Sequence, residues 1–287
     1  MGAKFGPAGN SESFAAMGYK KTIQVPEYIV RMGLDAYEYQ CGRGGRISEE
    51  AAREFGQKAR EYSVALSLHS PYYISLSSIE KEKRDGSIEY ILPSARAADA
   101  MGAQRVVVHS GSCSKISREE ALELAKDTLK RAYQALDEQN LGHIHLCPET
   151  MGKVNQLGTL EEVLELCLID ERLIPCIDFG HLNARTFGKL NSFEAVKEVF
   201  DKMEDKLGTS RMRQFHSHFS KIEYTLKGGE KCHLTFADTI YGPQFEPVAE
   251  MIVRKNASPT IICESAGTQA EDALTMKQIY CRQKEQD

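Results

Sequence analysis

The sequence predicts a single (β/α)8 TIM barrel over residues 1–287, and two observations support this fold class. Short apolar segments alternate with helical stretches eight times, which gives about 36 residues per unit, as such barrels require. Six successive segments end in His, Asp or Glu. Because the chemistry of a barrel lies at the carboxyl ends of its strands, we expect one domain with a metal site at that face.

The predicted strands are short apolar runs bounded by polar residues. They cover residues 3–5, 34–41, 65–70, 105–111, 143–150, 174–181, 212–220 and 259–265. An open doubly wound sheet would carry a glycine-rich phosphate-binding sequence after its first strand. The sequence Gly6-Pro7-Ala8-Gly9-Asn10 does not match that pattern, so the barrel is favoured.

Helices are predicted between the strands from their capping residues. Ser117 with Glu120 and Thr159 with Glu162 have the spacing of capping boxes. Ser48 and Ser192 precede helical stretches, and a last helix is predicted over 270–284. This alternation of capped helices and apolar strands is typical of a barrel.

Composition describes an ordinary globular protein, with 41% hydrophobic and 27% charged residues. No apolar run approaches a membrane span, and the eight cysteines include no Cys-x-x-Cys pair. We therefore expect a cytoplasmic monomer that contacts no membrane. A net charge of −5 argues against a nucleic-acid partner, but three divalent ions would change it to −5 + 6 = +1.

The polar residues at the strand ends are types that bind metals. They are His69, His109, Glu149, Asp178 with His181, His216 or His218, and Glu264, with His233 in the loop after the seventh strand. One such residue is usually structural, and Asp178 could simply cap a helix. Six successive strands with this feature indicate a metal centre.

Strand periodicity separates the rim from the interior of the barrel. The residues two positions earlier share a face with the strand-end residues and are small or apolar: Ser67, Val107, Cys147, Cys176 and Ile262. By the same rule His216 lies one layer below His218. We favour His218 as the ligand and keep His216 as the alternative.

The ligand types predict the metal and the reaction class. Imidazoles mixed with carboxylates suit Zn²⁺, with Mn²⁺ or Fe²⁺ possible. The candidates are too many for one tetrahedral ion, so two or three ions that share Glu149 are expected. Clustered divalent ions of this kind hydrolyse phosphoesters.

Five motifs resemble the endonuclease IV family in their order and spacing. They are His69-Ser-Pro-Tyr72, Val108-His109-Ser-Gly111, Cys147-Pro-Glu149-Thr-Met-Gly152, Ile177-Asp178-Phe-Gly-His181-Leu-Asn-Ala184 and Ile262-Cys-Glu264-Ser265. The resemblance implies a barrel with three zinc ions that cleaves double-stranded DNA on the 5′ side of abasic sites and leaves a 3′-hydroxyl. It also implies that the strand-end residues, His218 and His233 are ligands, and that Tyr72 acts around the lesion.

The sequence departs from the family pattern after the seventh strand. Lys231-Cys232-His233 replaces the family's Asp-x-His, and His218-Phe-Ser-Lys221 replaces His-x-Asn-Asp. Lysine cannot replace a carboxylate ligand, although Glu230 could reach the ion if the loop shifts, and Glu223 is a more remote substitute. We expect two firmly held ions and a weak or absent third.

Contacts with DNA would come from side chains on the rim loops. The candidates are Arg43, Arg46, Asn155, Lys221 and Lys231. Each could equally be a solvated surface residue.

A sugar isomerase or epimerase with one or two divalent metals is the alternative function. That class depends mainly on carboxylates, and the many rim histidines here favour the hydrolase. The net negative charge and the altered loop after the seventh strand favour the isomerase. A barrel that binds metal without catalysis is a third interpretation.

Overall fold

Eight parallel strands form the barrel in the computed structural model, which describes residues 2–42, 47–113 and 115–286. The barrel strands are β1 (Lys4–Pro7), β2 (Ala36–Gln40), β3 (Ala65–His69), β4 (Arg105–Val108), β5 (His145–Pro148), β6 (Cys176–Asp178), β7 (His216–Phe219) and β10 (Thr260–Cys263). All eight lie within the predicted strand segments or overlap them, so the predicted (β/α)8 fold is confirmed.

The strands pair in two groups of four, which are joined at two seams. One group has the order β2-β3-β4-β5 and the other β1-β10-β7-β6. Parallel bridges from Ala8 to Glu38 and from Glu149 to Cys176 connect the groups and close the barrel. Each strand end therefore opens onto the same face.

Helices surround the barrel, and their buried faces form the main apolar core with the outward faces of the strands. They are α1 (Glu12–Ala16), α2 (Val25–Arg31), α3 (Glu49–Glu61), α4 (Lys81–Met101), α5 (Arg118–Glu138), α6 (Leu160–Cys167), α7 (Phe179–Arg185), α8 (Phe193–Arg213), α9 (Glu246–Arg254) and α10 (Gln269–Gln286), with a 3-10 turn at Thr22–Gln24. In the described part of the chain, none of them has the length and apolarity needed to cross a membrane.

The predicted caps are present at four helix starts. The side chains of Ser48, Ser117, Thr159 and Ser192 each accept a hydrogen bond from a backbone N–H in the first turn of their helix. Thr159 and Glu162 form the reciprocal capping box. At Ser117 only the forward bond, from the Glu120 N–H, is made, so that box is incomplete.

Two features differ from the sequence prediction. The strand predicted over 174–181 ends at Asp178, because the Asp178 carboxylate accepts the His181 N–H at 2.7 Å and starts α7 there. After β7 the chain forms an antiparallel hairpin of β8 (Lys221–Thr225) and β9 (Gly229–Leu234), which was expected to be a loop. Both features bring side chains to the open face of the barrel.

Candidate metal centre

A cavity of about 300 Å³ opens at the carboxyl ends of the strands. Its lining includes most of the predicted ligands and several rim side chains: Gln40, His69, Ser70, Tyr72, His109, Glu149, Met151, Lys153, Gln156, His181, Glu230, His233 and Glu264. Asp178 and His218 lie fully buried at the barrel interior. The strand ends thus bring together side chains that are far apart in sequence.

Glu149, which directly follows β5, is the residue that most of the histidines contact. Its Oε2 lies 3.2 Å from His109 Nε2 and 3.4 Å from His69 Nε2. Its Oε1 lies 2.9 Å from His218 Nδ1 and 3.4 Å from His181 Nδ1. Burial alone would raise the pKa of Glu149, but the charge of His218 and the other imidazoles around the carboxylate hold this pKa well below its usual range.

Backbone carbonyls determine which ring nitrogens of two histidines carry a proton. His69 Nδ1 lies 2.7 Å from Ser70 O, and His181 Nδ1 lies 2.9 Å from Thr150 O. A carbonyl only accepts, so each Nδ1 is the donor, and Nε2 of the neutral ring is a free acceptor. That Nε2 faces a carboxylate in both cases, Glu149 for His69 and Glu230 for His181 at 3.5 Å. A proton on Nε2, or a metal ion in its place, would satisfy both groups.

Buried carboxylate oxygens without a partner lead to the same conclusion. Glu149 Oε2 and Asp178 Oδ2 have no hydrogen-bond partner among the described residues. Burial, with a smaller contribution from the nearby Glu264 and Glu149, raises the pKa of Asp178 to about 6 against the lowering effect of His181. This excess of buried acceptors fits divalent metal ions.

The side chains at the cavity form three groups in which the potential ligand atoms lie within 4.8 Å of one another, and a fourth group, Cys176 with His216 and His218, extends into the layer below. The three groups at the cavity are His69 with Glu149 and His218, then Glu149 with Asp178, His218 and Glu264, and then His181 with Glu230 and His233. His109 extends the first group through its contact with Glu149. Glu149 and His218 belong to two of these three groups and could serve two ions.

A β-bulge in the hairpin explains how Glu230 joins the third group. Opposite Glu223 and Tyr224, β9 pairs through Cys232 and Glu230, so Lys231 is the extra residue of the bulge. Residues three positions apart normally face opposite sides of a strand, but one bulged residue restores a common face to Glu230 and His233. The carboxylate missing at position 231 is therefore replaced by its neighbour.

The remaining candidates for DNA contact have different environments. Asn155 and Lys231 are exposed, and Lys231 Nζ lies 2.6 Å from Glu223 Oε1. Lys221 is buried, and its ammonium donates to Phe236 O at 2.9 Å and to Asp238 O. The prediction for Lys221 is therefore wrong, because its donors face the protein interior. Arg43 and Arg46 lie outside the described residues.

Two exposed side chains border the cavity on its solvent side. Tyr72, in the loop after β3, is 50% exposed, and its ring lies 5.9 Å from that of Tyr73. Lys153 is exposed at the same rim. Both positions are accessible to a bound ligand.

Glu38, a fully buried carboxylate in the middle of β2, is not among the residues predicted from the sequence. Its Oε2 lies 2.9 Å from Nε2 of His216, which occupies the layer below His218. Burial lowers the pKa of His216 to about 4, despite the nearby Glu38 carboxylate. A charged residue inside the apolar segment 34–41 was the available signal. Cys147 and Cys176 are also fully buried there and pack against Val107.

Relatives in sequence fall into two groups. An uncharacterized protein of Methanocaldococcus jannaschii is 33% identical over 253 residues, which cover 88% of this chain and 89% of that protein. A protein of Acholeplasma laidlawii named probable endonuclease 4 is 28% identical over 163 residues, 54% of this chain and 53% of its own length. The first relative matches most of the chain, and the relative named probable endonuclease 4 matches about half of it.

Solved structures share the whole fold at low sequence identity. A D-tagatose 3-epimerase-like protein superposes with a TM-score of 0.71 at 20% identity and covers 98% of this chain and 97% of its own. Endonuclease IV from Thermus thermophilus gives 0.66 at 17% identity, with 99% and 100% covered. Residues 26–280 match the model of the xylose isomerase-like TIM barrel, and the chain belongs to that family.

Proposed function

We propose that this protein is a zinc-dependent DNA-repair endonuclease that hydrolyses the phosphodiester 5′ to an abasic site and leaves a 3′-hydroxyl. The observation that carries the proposal is the set of three ligand groups that meet around Glu149. Two or three Zn²⁺ ions would be held there, with Mn²⁺ or Fe²⁺ as possible substitutes. Such ions, when bound, supply Lewis-acid activation of a phosphoester and of the attacking water.

The residues of the chain contribute binding, orientation and charge. The Ser70 and Thr150 carbonyls orient the imidazoles of His69 and His181 towards the carboxylates. Lys153 at the rim offers a cation to the DNA backbone, and Tyr72 offers an aromatic face beside the lesion. Asn155 and Lys231 remain proposed phosphate contacts on neighbouring loops.

Two further points complete the proposal. The eight cysteines are free, which fits a reducing compartment, so we propose that the protein acts in the cytoplasm. We also propose that the chain is one barrel domain and acts on DNA as a monomer.

A carbohydrate epimerase is the second candidate, and one observation favours it. The group of Glu149, Asp178, His218 and Glu264 has three carboxylates and one imidazole, a set that suits a single Mn²⁺ ion. The D-tagatose 3-epimerase-like structure shares this fold. The histidine-rich groups around His69 and around His233 have no evident use in a one-metal site, so the endonuclease is favoured.

One assay separates the two functions. The full chain, loaded with Zn²⁺, is incubated with a duplex oligonucleotide that contains a single abasic analogue, with and without a chelator. We expect incision 5′ to the lesion that the chelator abolishes, with a product end that a polymerase can extend. Absence of incision by protein that holds at least two ions would refute the proposal, and turnover of ketohexoses by the same sample would establish the epimerase.

A further inference from the structure

The Glu38 carboxylate lies at the centre of a buried hydrogen-bond network beneath the candidate metal centre. Oε2 lies 2.9 Å from both Ser67 Oγ and His216 Nε2. Oε1 lies 3.1 Å from Gln40 Nε2 and 3.0 Å from His218 Nε2. Each carboxylate oxygen thus faces one imidazole and one other donor.

The chemistry of the carboxylate determines the state of both rings. An ionised carboxylate accepts hydrogen bonds and donates none. Ser67 Oγ and Gln40 Nε2 each donate to one oxygen of Glu38, so both oxygens serve as acceptors. His216 therefore presents an N–H to Glu38 through its Nε2. His218 Nε2 lies 3.0 Å from Glu38 Oε1 but is not aligned for a hydrogen bond there.

The other ring nitrogen of His218, Nδ1, points into the candidate metal centre. Nδ1 lies 2.9 Å from Glu149 Oε1 and 3.6 Å from Glu264 Oε1. An ionised Glu149 accepts a hydrogen bond from Nδ1, and a metal ion in place of that proton would leave the ring proton on Nε2, which faces Glu38. The same ring thus contacts Glu38 on one side and the ligand carboxylates on the other.

We propose that Glu38 is a positioning residue of the metal centre, which holds His218 as the Nε2–H tautomer so that Nδ1 binds the ion shared with Glu149, Asp178 and Glu264. His216 is not a ligand in this arrangement, and its Nε2–H fixes the second oxygen of Glu38. A carboxylate that orients a metal-binding histidine in this way also raises the basicity of the ring. The inference rests on the proposed metal centre.

Glu38→Gln tests the proposal, because it preserves the shape of the side chain and removes one acceptor. The amide NH₂ would face an imidazole N–H, so His216 or His218 must change its tautomer or lose its bond. The full chain is stripped of metal, and Zn²⁺ affinity is measured by competition with a chromophoric chelator. We expect one ion to bind roughly 10–100-fold more weakly than in the unmodified protein.

Glu162→Gln is the matched control. Glu162 is also a buried carboxylate with four hydrogen bonds, to Arg118 and to the backbone N–H groups of Gly158 and Thr159, but it lies outside the metal centre. The same chemical change should lower the free energy of unfolding there and leave Zn²⁺ affinity unchanged. If Glu38→Gln also loses only stability, Glu38 is a structural residue and the proposal is overturned.

A measurement on the unmodified protein avoids any failure of the variant to fold. The ¹⁵N chemical shifts of the zinc-loaded chain distinguish a metal-bound Nδ1 from a metal-bound Nε2 in His218. Metal on Nδ1 and a proton on Nε2 are expected, and the reverse assignment would overturn the proposal. Failure of the unmodified protein to bind Zn²⁺ would instead refute the metal centre itself.

Discussion

Glu149 Oε1 lies 2.9 Å from His218 Nδ1, although the two residues are 69 positions apart in the chain. The contact joins the end of β5 to β7 across the mouth of the barrel. Both side chains are buried, and both belong to two of the three ligand groups. A change at either residue should therefore affect more than one metal ion.

Glu149→Gln should abolish phosphodiesterase activity while the fold is kept. The substitution removes the charge that four histidines contact, so the loss should exceed the roughly 100-fold effect of residues that only orient ligands. Incision of abasic duplex DNA and metal content per chain are the measurements. Glu223→Gln, at a surface ion pair with Lys231, is the control and should retain both. Activity in the Glu149 variant would exclude Glu149 from the reaction.

Glu230→Gln should reduce the metal content by one ion per chain. Its carboxylate is the only acidic member of the group with His181 and His233 among the described residues. Metal analysis after gel filtration should give one equivalent fewer for the variant than for the unmodified protein. Lys231→Ala, one residue away on the bulge, should keep the unmodified count and change stability by less than about 0.5 kcal/mol. An unchanged count in Glu230→Gln would show that this carboxylate binds no ion.

Asp178→Asn should stabilise the metal-free protein at neutral pH. The pKa of Asp178 is raised from 3.8 to about 6 in the folded state, so its favourable contribution is present below 3.8 and lost as the pH rises through about 6. The ionised group then costs on the order of 3 kcal/mol. Urea unfolding of metal-free protein near pH 8 should show this gain, and near pH 4 the two proteins should agree to within about 1 kcal/mol. A less stable variant near pH 8 would contradict the assignment.

Lys221→Met should change the stability of the protein but not its DNA binding, whereas Lys153→Ala should change DNA binding but not stability. Loss of the buried Lys221 ammonium leaves two carbonyls without a donor, which should cost about 1–3 kcal/mol in unfolding free energy. It should leave the salt dependence of DNA binding unchanged. Loss of Lys153 at the rim should instead lower the slope of log K against log salt by about 1 without a change in stability. The reverse pattern would show that the DNA contacts are wrongly placed.

Much of the site could be predicted because barrel geometry is regular. Once eight strands are recognised, the polar residues at their ends must meet at one face. The alternation of side chains along a strand also predicts that His216 lies one layer below His218. The two interpretations of the Asp178 motif, helix cap and metal ligand, are compatible with each other. One carboxylate oxygen caps α7, and the other points towards the ligand cluster.

The remaining features depend on contacts that periodicity does not encode. Glu38 is 178 residues from His216, and only closure of the barrel brings them together. The position of Glu230 depends on a single bulged residue, and a strand pattern does not reveal a bulge. A lysine is usually a surface cation, but the Lys221 ammonium is buried and donates to a backbone carbonyl in the segment after the hairpin.

The two seams of the barrel give the candidate centre a mechanical role as well. His69, His109 and Glu149 belong to the half formed by β2–β5, whereas Asp178, His218 and Glu264 belong to the half formed by β1, β6, β7 and β10. Ions bound between these sets would cross-link the halves. Glu38 is hydrogen-bonded to His216 and lies 3.0 Å from His218 across the same divide. Removal of the ions should therefore let the two half-barrels separate more readily, with faster amide exchange along both seams than within either half.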